Sequence, residues 1–456
     1  MTTKDDNPFL GHFVRGELHL FAAAFFKKGG SFIQSIFILR SLAPYQLGLH
    51  QLLLAAYSII SGFFHDLFST VVGNEMTRLA GEGKEAEMKR LFLEYAGFRL
   101  IMAFFPAVVI FYAAEHIAAY FSYGSNAVVW LKLLAILFLV DALNLLVLSL
   151  LNLRLMFRAL SYRPVIGKYI QCAILAYFFF FKHIGITEIL LSQIFSLIAL
   201  LIVLTPTVVR ALAPWRGVRA ARRTLLPSIL TSYGYWELPQ NLLKDLMRNI
   251  RPFIIKIFTS TEMVGIFSVA NTALSLLKDV LPIRTLNMLV PRKAHFKNYY
   301  RYLFIYGAKY YTWLAAAVAL VGAVGYPIGI NLLFPNYNAS IPIFYIILPT
   351  MILFAFVKLI PIFLVARRRQ RFIFFQQLFD NITGIVFGVV FIKLWGIFGM
   401  AAGLLAADVV TDVVRYWYLV RTRFLAPYPF AKLFVFDEED RKNFAKLKAY
   451  LFRDAS

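Results

Sequence analysis

The sequence predicts an all-α, polytopic membrane protein: about 12 transmembrane helices arranged as two pseudo-repeated six-helix bundles. Three observations lead there. The 456 residues are 60% hydrophobic and 17% aromatic, with a mean hydropathy of +0.69, more apolar surface than a soluble chain of this length needs. Apolar stretches recur at the roughly 20 residues that a bilayer core demands. Positive charge falls in every second gap between them, the mark of loops that resist translocation.

Taken in order, the apolar stretches are 17–40, 47–70, 91–114, 127–151, 164–182 and 187–210, then 227–257, 262–290, 302–330, 340–366, 372–394 and 396–420. The basic gaps hold Arg78, Lys84, Lys89 and Arg90; Arg154, Arg158, Arg163 and Lys168; and Arg210, Arg216, Arg219, Arg222 and Arg223. In the second half they hold Arg292, Lys293, Lys297 and Arg301, and then Arg367, Arg368, Arg369 and Arg371. The alternate gaps carry Arg40, Lys182, Lys256 and Lys393 singly, and none at 116–126 or 331–339. An even number of spans with this bias puts both termini in the cytoplasm of a multi-pass protein of the plasma (inner) membrane. The polar, acidic start, Met1 to Pro8, offers no cleavable signal, so the first span itself is expected to direct insertion.

The domain organisation follows: a six-helix bundle over 1–212, a cytoplasmic linker over 213–226, a second six-helix bundle over 227–420, and a basic cytoplasmic tail over 421–456. In the tail, 437–453 reads as a short amphipathic helix for the inner membrane surface, with a frayed charged tail as the alternative. The two halves echo each other. Pro44-Tyr45-Gln46-Leu47-Gly48-Leu49 opens the second span and Thr261-Glu262-Met263-Val264-Gly265-Ile266 the eighth, each with an aliphatic-Gly-aliphatic triplet where the chain re-enters the membrane. Repeated bundles with a site at their interface are a common transporter plan.

Several function classes are excluded by what is missing. The formal charge of +23 is accounted for by loops against anionic headgroups, so no nucleic-acid partner is expected. A single cysteine, Cys172, allows no intramolecular disulfide, and the seven histidines form no metal-ligand spacing. No phosphate-binding loop is present, so neither a built-in ATP motor nor another cofactor is expected, and no catalytic residue stands out.

The segment Leu39-Arg40-Ser41-Leu42-Ala43-Pro44-Tyr45-Gln46-Leu47-Gly48 resembles the one that follows the first span of polysaccharide flippases of the O-antigen type. Val264-Gly265-Ile266-Phe267-Ser268-Val269-Ala270 is similar to their segment at the eighth span. These flippases belong to the multidrug/oligosaccharidyl-lipid/polysaccharide exporter superfamily. The chain departs from the family at Ala43, where glycine is usual, and at Arg251-Pro252, where relatives often carry an aspartate. The resemblance implies a transporter for polysaccharide biosynthesis that flips a lipid-linked oligosaccharide among membrane lipids.

Charged residues inside spans are costly and mark functional positions. Lys27 and Lys28, followed by Gly29-Gly30, precede Arg40 by 13 and 12 positions. At 1.5 Å per residue that is about 20 Å from the outer end, near the middle of the bilayer. A first span that began later would leave both at the cytoplasmic interface. On the seventh span Glu237, Asn241, Lys244, Arg248 and Arg251 share one helical face, with Pro239 as a kink and Asp245 as an ion-pair partner for Arg248. That stripe lines a cavity or forms a structural ion-pair ladder. Lys278 and Asp279 lie at mid-depth on the eighth span.

A pyrophosphate headgroup needs a wet cationic cavity, and Lys27, Lys28, Lys244, Arg248, Arg251 and Lys278 are the candidate substrate-binding residues for it. The expected mechanism is alternating access. Asp141 and Asp380 are the candidates for binding a coupling proton or Na⁺, while Arg415 pairs with Asp412 three residues before it. The competing reading is an ion-coupled multidrug antiporter of the same superfamily, which would favour carboxylates over this many cations. An enzyme would need a larger outer loop than the gaps provide.

Overall fold

Residues Pro8–Ser41 form one helix of 34 residues, α1, in a computed structural model that describes residues 8–65, 68–120, 126–231, 246–281, 297–353, 370–422, 435–438 and 440–441. Proline at the first turn of the next helix starts α2, Pro44–Phe64, where its missing N–H costs nothing. The second span is expected over 47–70 but ends at Phe64. Phe68 takes a left-handed conformation (φ 61°), and a separate helix, α3, runs over Ser69–Gly81. Gly83, with φ 70°, then turns the chain into α4, Glu85–Tyr120.

The first unit continues with α5 (Asn126–Leu153), α6 (Phe157–Phe181) and α7 (Ile186–Leu212). α1 packs along α6, α4 along α5, and α5 and α6 each along α7. The α4–α5 seam is built from Ala103, Ala107, Ala135 and Ala142 around Phe138, small residues that let apolar helices approach closely. Leu49, Leu134, Leu137, Ile186, Leu190 and Ile194 fill the space between α2, α5 and α7. The sequence reading starts the fifth span at 164; the helix begins seven residues earlier, at Phe157, and carries Pro164 in its interior.

The stretch expected to link two halves, 213–226, is fastened down. A 3₁₀ turn, Ala213–Trp215, buries Trp215, whose Nε1 donates to Glu85 Oε2 (2.7 Å). Arg154 donates to both Glu85 oxygens (2.9 and 3.2 Å) and lies over the Trp215 ring. Lys89 Nζ donates to the carbonyls of Trp215 and Val218 (3.0 and 2.9 Å). Glu94 Oε2 accepts from the backbone N–H groups of Leu225 and Leu226 (3.0 and 2.9 Å), capping the short helix α8, Leu226–Ile229.

Two compact units divide the chain: Met1–Phe253 with Thr261–Gly265, and Ile254–Ser260 with Ile266–Ser456. The expected seventh span, 227–257, is interrupted. A helical turn at 246–249 stops at Ile250, and α9, Arg251–Phe258, starts beyond it. α10 covers Thr261–Val280, α11 Lys297–Leu333 and α12 Ser340–Ile347.

The last helix, α13, runs over Gln370–Arg421 as two arms joined at Trp395 and Gly396. Gly396 sits at φ 58°, a left-handed position that suits glycine. The arms fold back on each other through glycines: a Cβ on Gly399 would lie 1.9 Å from the Phe391 carbonyl, and one on Gly403 2.7 Å from that of Phe387. Among the described residues there is no strand, and eight helices are long and apolar enough to cross a bilayer, the two-armed Phe375–Tyr418 counted once. The chain is an all-α, multi-pass membrane protein.

Candidate functional site

Within the first unit α1 and α6 bring a set of basic and amide side chains together. Lys27 is exposed and Lys28 half-buried on α1. The earlier start of α6 changes the standing of Arg163 and Lys168. Both are counted with the loop charges from sequence, yet both project from the interior of a spanning helix. Lys168 Nζ donates to Gln34 Oε1 on α1 and to Gln171 Oε1 (3.3 Å) one turn along α6. Its stem crosses α1 at Gly30, where a Cβ would meet Lys168 Cγ at 2.8 Å. Cys172 Sγ donates to the Gly30 carbonyl (3.1 Å), closing the same crossing. Gly30 therefore serves close approach, and α1 continues as helix through the Gly29-Gly30 pair.

A second cluster surrounds Asp141 on α5. Tyr57 Oη donates to Asp141 Oδ2 (2.8 Å), and His65 Nδ1 lies 3.9 Å from that oxygen and 3.2 Å from Ser61 Oγ. The His65 ring packs on Phe138 at 3.9 Å between centroids. The charges of Arg99 on α4 and Arg163 on α6 both act on Asp141. Arg99 is buried and donates to Tyr95 Oη (3.0 Å); Arg163 donates to the Asn144 carbonyl (3.3 Å).

In the second unit two buried cations are answered by carboxylates. Arg415 donates to Asp412 Oδ1 (2.8 Å), the local pair expected from sequence, and its other terminal nitrogen bonds Asp380 Oδ2. Asp380 is thus held in an ion pair. Lys309 on α11 is fully buried and donates to Asp437 Oδ2 (3.0 Å) and to the buried Asp440. These two acids belong to the tail, whose Phe436 stacks on Trp313.

Of the other sequence candidates, Lys244 lies outside the described residues, together with Glu237, Pro239, Asn241 and Asp245. Arg248 is exposed and Arg251 half-buried, on opposite sides of the Ile250 break, so the expected stripe does not run as one helical face between them. Lys278 is half-buried in the last turn of α10 and Asp279 exposed. Most of the expected tail helix, from Lys442 onward, also lies outside the described residues. The sequence reading passed over Arg99 and Lys309 and counted Lys168 with the loop charges. Each was visible as a single cation inside an apolar stretch, and only the tertiary partners give such a residue meaning.

The echoed triplets meet. A Cβ on Gly48 would lie 1.8 Å from the Thr261 carbonyl, and one on Gly265 2.1 Å from the Pro44 carbonyl. Each glycine thus abuts the residue four positions before the other, a reciprocal helix crossing within the first unit.

Solved structures share this fold. A multidrug-resistance MATE transporter of the MOP superfamily, inward-facing, matches with a TM-score of 0.73 at 13% identity, over 87% of this chain and 94% of that one. The lipid II flippase MurJ, inward closed, matches at 0.71 and 10% identity, over 96% and 99%. A Vibrio cholerae MATE transporter, VcmN, matches at 0.61 and 13%, over 90% and 98%. At these identities the likeness is one of fold. Among curated proteins no match to the sequence is found.

The helical fold is that of a multi-pass membrane protein, shared with a MATE transporter and with the flippase MurJ. Residues 38–332 match the family described as "Polysaccharide biosynthesis protein", and the chain belongs to that family.

Proposed function

We propose that the protein flips a lipid-linked oligosaccharide, its glycan joined to polyprenol through pyrophosphate, from the cytoplasmic to the outer leaflet of the plasma (inner) membrane. It works by alternating access through a cationic cavity and serves polysaccharide biosynthesis. The observation that carries this reading is the pair Lys27 and Lys28, side by side on α1, a helix packed along the apolar helix α6. Cations held against membrane helices are expensive unless they meet an anion or water. A pyrophosphate supplies the anion. Membership of a polysaccharide biosynthesis family and the fold shared with a lipid II flippase support the same substrate class. Lys244, Arg248, Arg251 and Lys278 are the further substrate-binding residues of this reading.

Both termini and the basic gaps face the cytoplasm. Asp141 is the residue through which a proton or Na⁺ gradient drives the cycle. The role is less suited to Asp380, whose charge is engaged by Arg415.

The test in cells is deletion of the gene. Lipid-linked oligosaccharide is expected to accumulate in the cytoplasmic leaflet, out of reach of an enzyme added outside. Normal outward delivery, with the deletion strain instead retaining cationic dyes, would move the protein to the multidrug antiporter class.

A further inference from the structure

Lys168 stands apart among the membrane cations engaged in the described structure. Arg415 has Asp380 and Asp412, and Lys309 has Asp437 and Asp440, while Arg99 and Arg163 form no ion pair with Asp141 in the described structure and act on it through their charge. Lys168 has amide oxygens: Gln34 and Gln171 accept two of its three protons. No carboxylate is among its neighbours in the described residues; the charge that acts on it is that of Lys27, a second cation. It lies 11 residues from one end of the 25-residue helix α6 and 13 from the other, roughly 16 to 20 Å from each. It cannot easily extend to either interface. Nor is it loosely placed, because its stem passes over Gly30, which any side chain would obstruct. Amides that orient a lysine while leaving its charge unanswered prepare it for an external anion.

We infer that Lys168 and Lys27 form a two-lysine clamp for a diphosphate, with Gln34 and Gln171 fixing the Lys168 ammonium and Gly30 giving it passage across α1. The inference rests on the flippase reading and names a headgroup-selecting residue for it. Two ammonium groups from adjacent helices match a group carrying two phosphates better than a monophosphate or a neutral head. Gln34 and Gln171 are positioning residues; Lys168 and Lys27 touch the ligand.

The experiment measures binding of polyprenyl pyrophosphate, polyprenyl monophosphate and inorganic pyrophosphate to the full chain in nanodiscs. It compares wild type with Lys168→Met, Lys168→Arg and Gly30→Ala. Lys168→Met is expected to weaken polyprenyl pyrophosphate binding roughly tenfold, the scale of one charge-assisted hydrogen bond, with Lys168→Arg restoring most of it. Gly30→Ala should weaken it too while leaving every charge in place. Preference for pyrophosphate over monophosphate should shrink in both weakened variants. Inorganic pyrophosphate losing affinity in parallel would assign the clamp to the headgroup alone; a loss confined to the lipid form would assign it to the headgroup presented by its tail. If Lys168→Met fails to fold, Lys27→Met and Gly30→Ala carry the comparison. A wild type that binds pyrophosphate lipid, with variants equal to it, overturns the clamp and leaves the flippase reading standing. Equal competition by phosphatidylglycerol would also overturn it, making the lysines a counter-charge for bulk lipid. A wild type that binds no polyprenyl phosphate overturns the flippase reading itself.

Discussion

At the scale of single residues, ion pairs inside the membrane sort into those that hold the protein together and those available for work. Arg415 is buried with Asp380 and Asp412 on its guanidinium. Arg415→Met strands both carboxylates and should destabilise the protein by about 3 kcal/mol or more. The triple variant Arg415→Met/Asp380→Asn/Asp412→Asn should recover much of that loss in a detergent melting assay. An Arg415→Met protein melting with wild type would show the pair to be idle. Asp141 differs, because a tyrosine hydroxyl and a histidine attend it along with two arginine charges. Asp141→Asn is expected to remove the response of transport to an imposed ion gradient, while Asp380→Asn keeps that response at reduced stability.

At the scale of elements, two junctions invite a test. The reciprocal crossing at Gly48 and Gly265 leaves no room for a methyl group on either helix. Alanine at either position should cost about 1–3 kcal/mol through overpacking, and valine more. The second junction is the tail on α11. The Asp437 carboxyl is held below its ordinary range: burial alone would raise it, but the Asp440 backbone N–H and the Lys309 ammonium outweigh that. Its contribution to docking is therefore present above the ordinary carboxylate pKa and is lost as pH falls through the depressed value. Protease access to the tail should stay low at neutral pH and rise only in acid well below pH 4. Lys309→Met should open the tail at neutral pH, since it strands the buried Asp440.

The same elements show what a sequence can convey. The echo of Gly48 and Gly265 was legible because both triplets need the same small residue for the same reason. The start of α6 was not, because Arg158 and Arg163 read as loop charges, whereas the helix begins at Phe157 and carries them and Pro164 within it. The polar stripe of the seventh span assumed an unbroken period of 3.6, which the interruption at Ile250 removes between Arg248 and Arg251. Lys168 was unreadable as a site residue because its meaning lies in Gln34 and Gly30 on another helix, more than 130 positions away.

At the scale of the whole molecule, composition and charge alternation sufficed for the fold class, since a bilayer constrains helix length and loop charge more strictly than water constrains a globular core. The orientation yields a direct expectation. On a chain whose own Cys172 is replaced, a cysteine at Glu82 or Arg219 should be shielded from an impermeant thiol reagent in intact cells, and one at Asn338 should react. The opposite labelling pattern would invert the topology and put the proposed direction of transport in doubt.

The most direct measurement is flipping by the purified protein in proteoliposomes carrying a fluorescent polyprenyl-pyrophosphate oligosaccharide in both leaflets, probed with an impermeant glycan-modifying enzyme. The account predicts that wild type exposes the whole pool, while Lys27→Ala/Arg248→Ala leaves the inner-leaflet half protected. An inner pool that stays protected with wild type under every imposed ion gradient, alongside transport of a cationic dye, would contradict it.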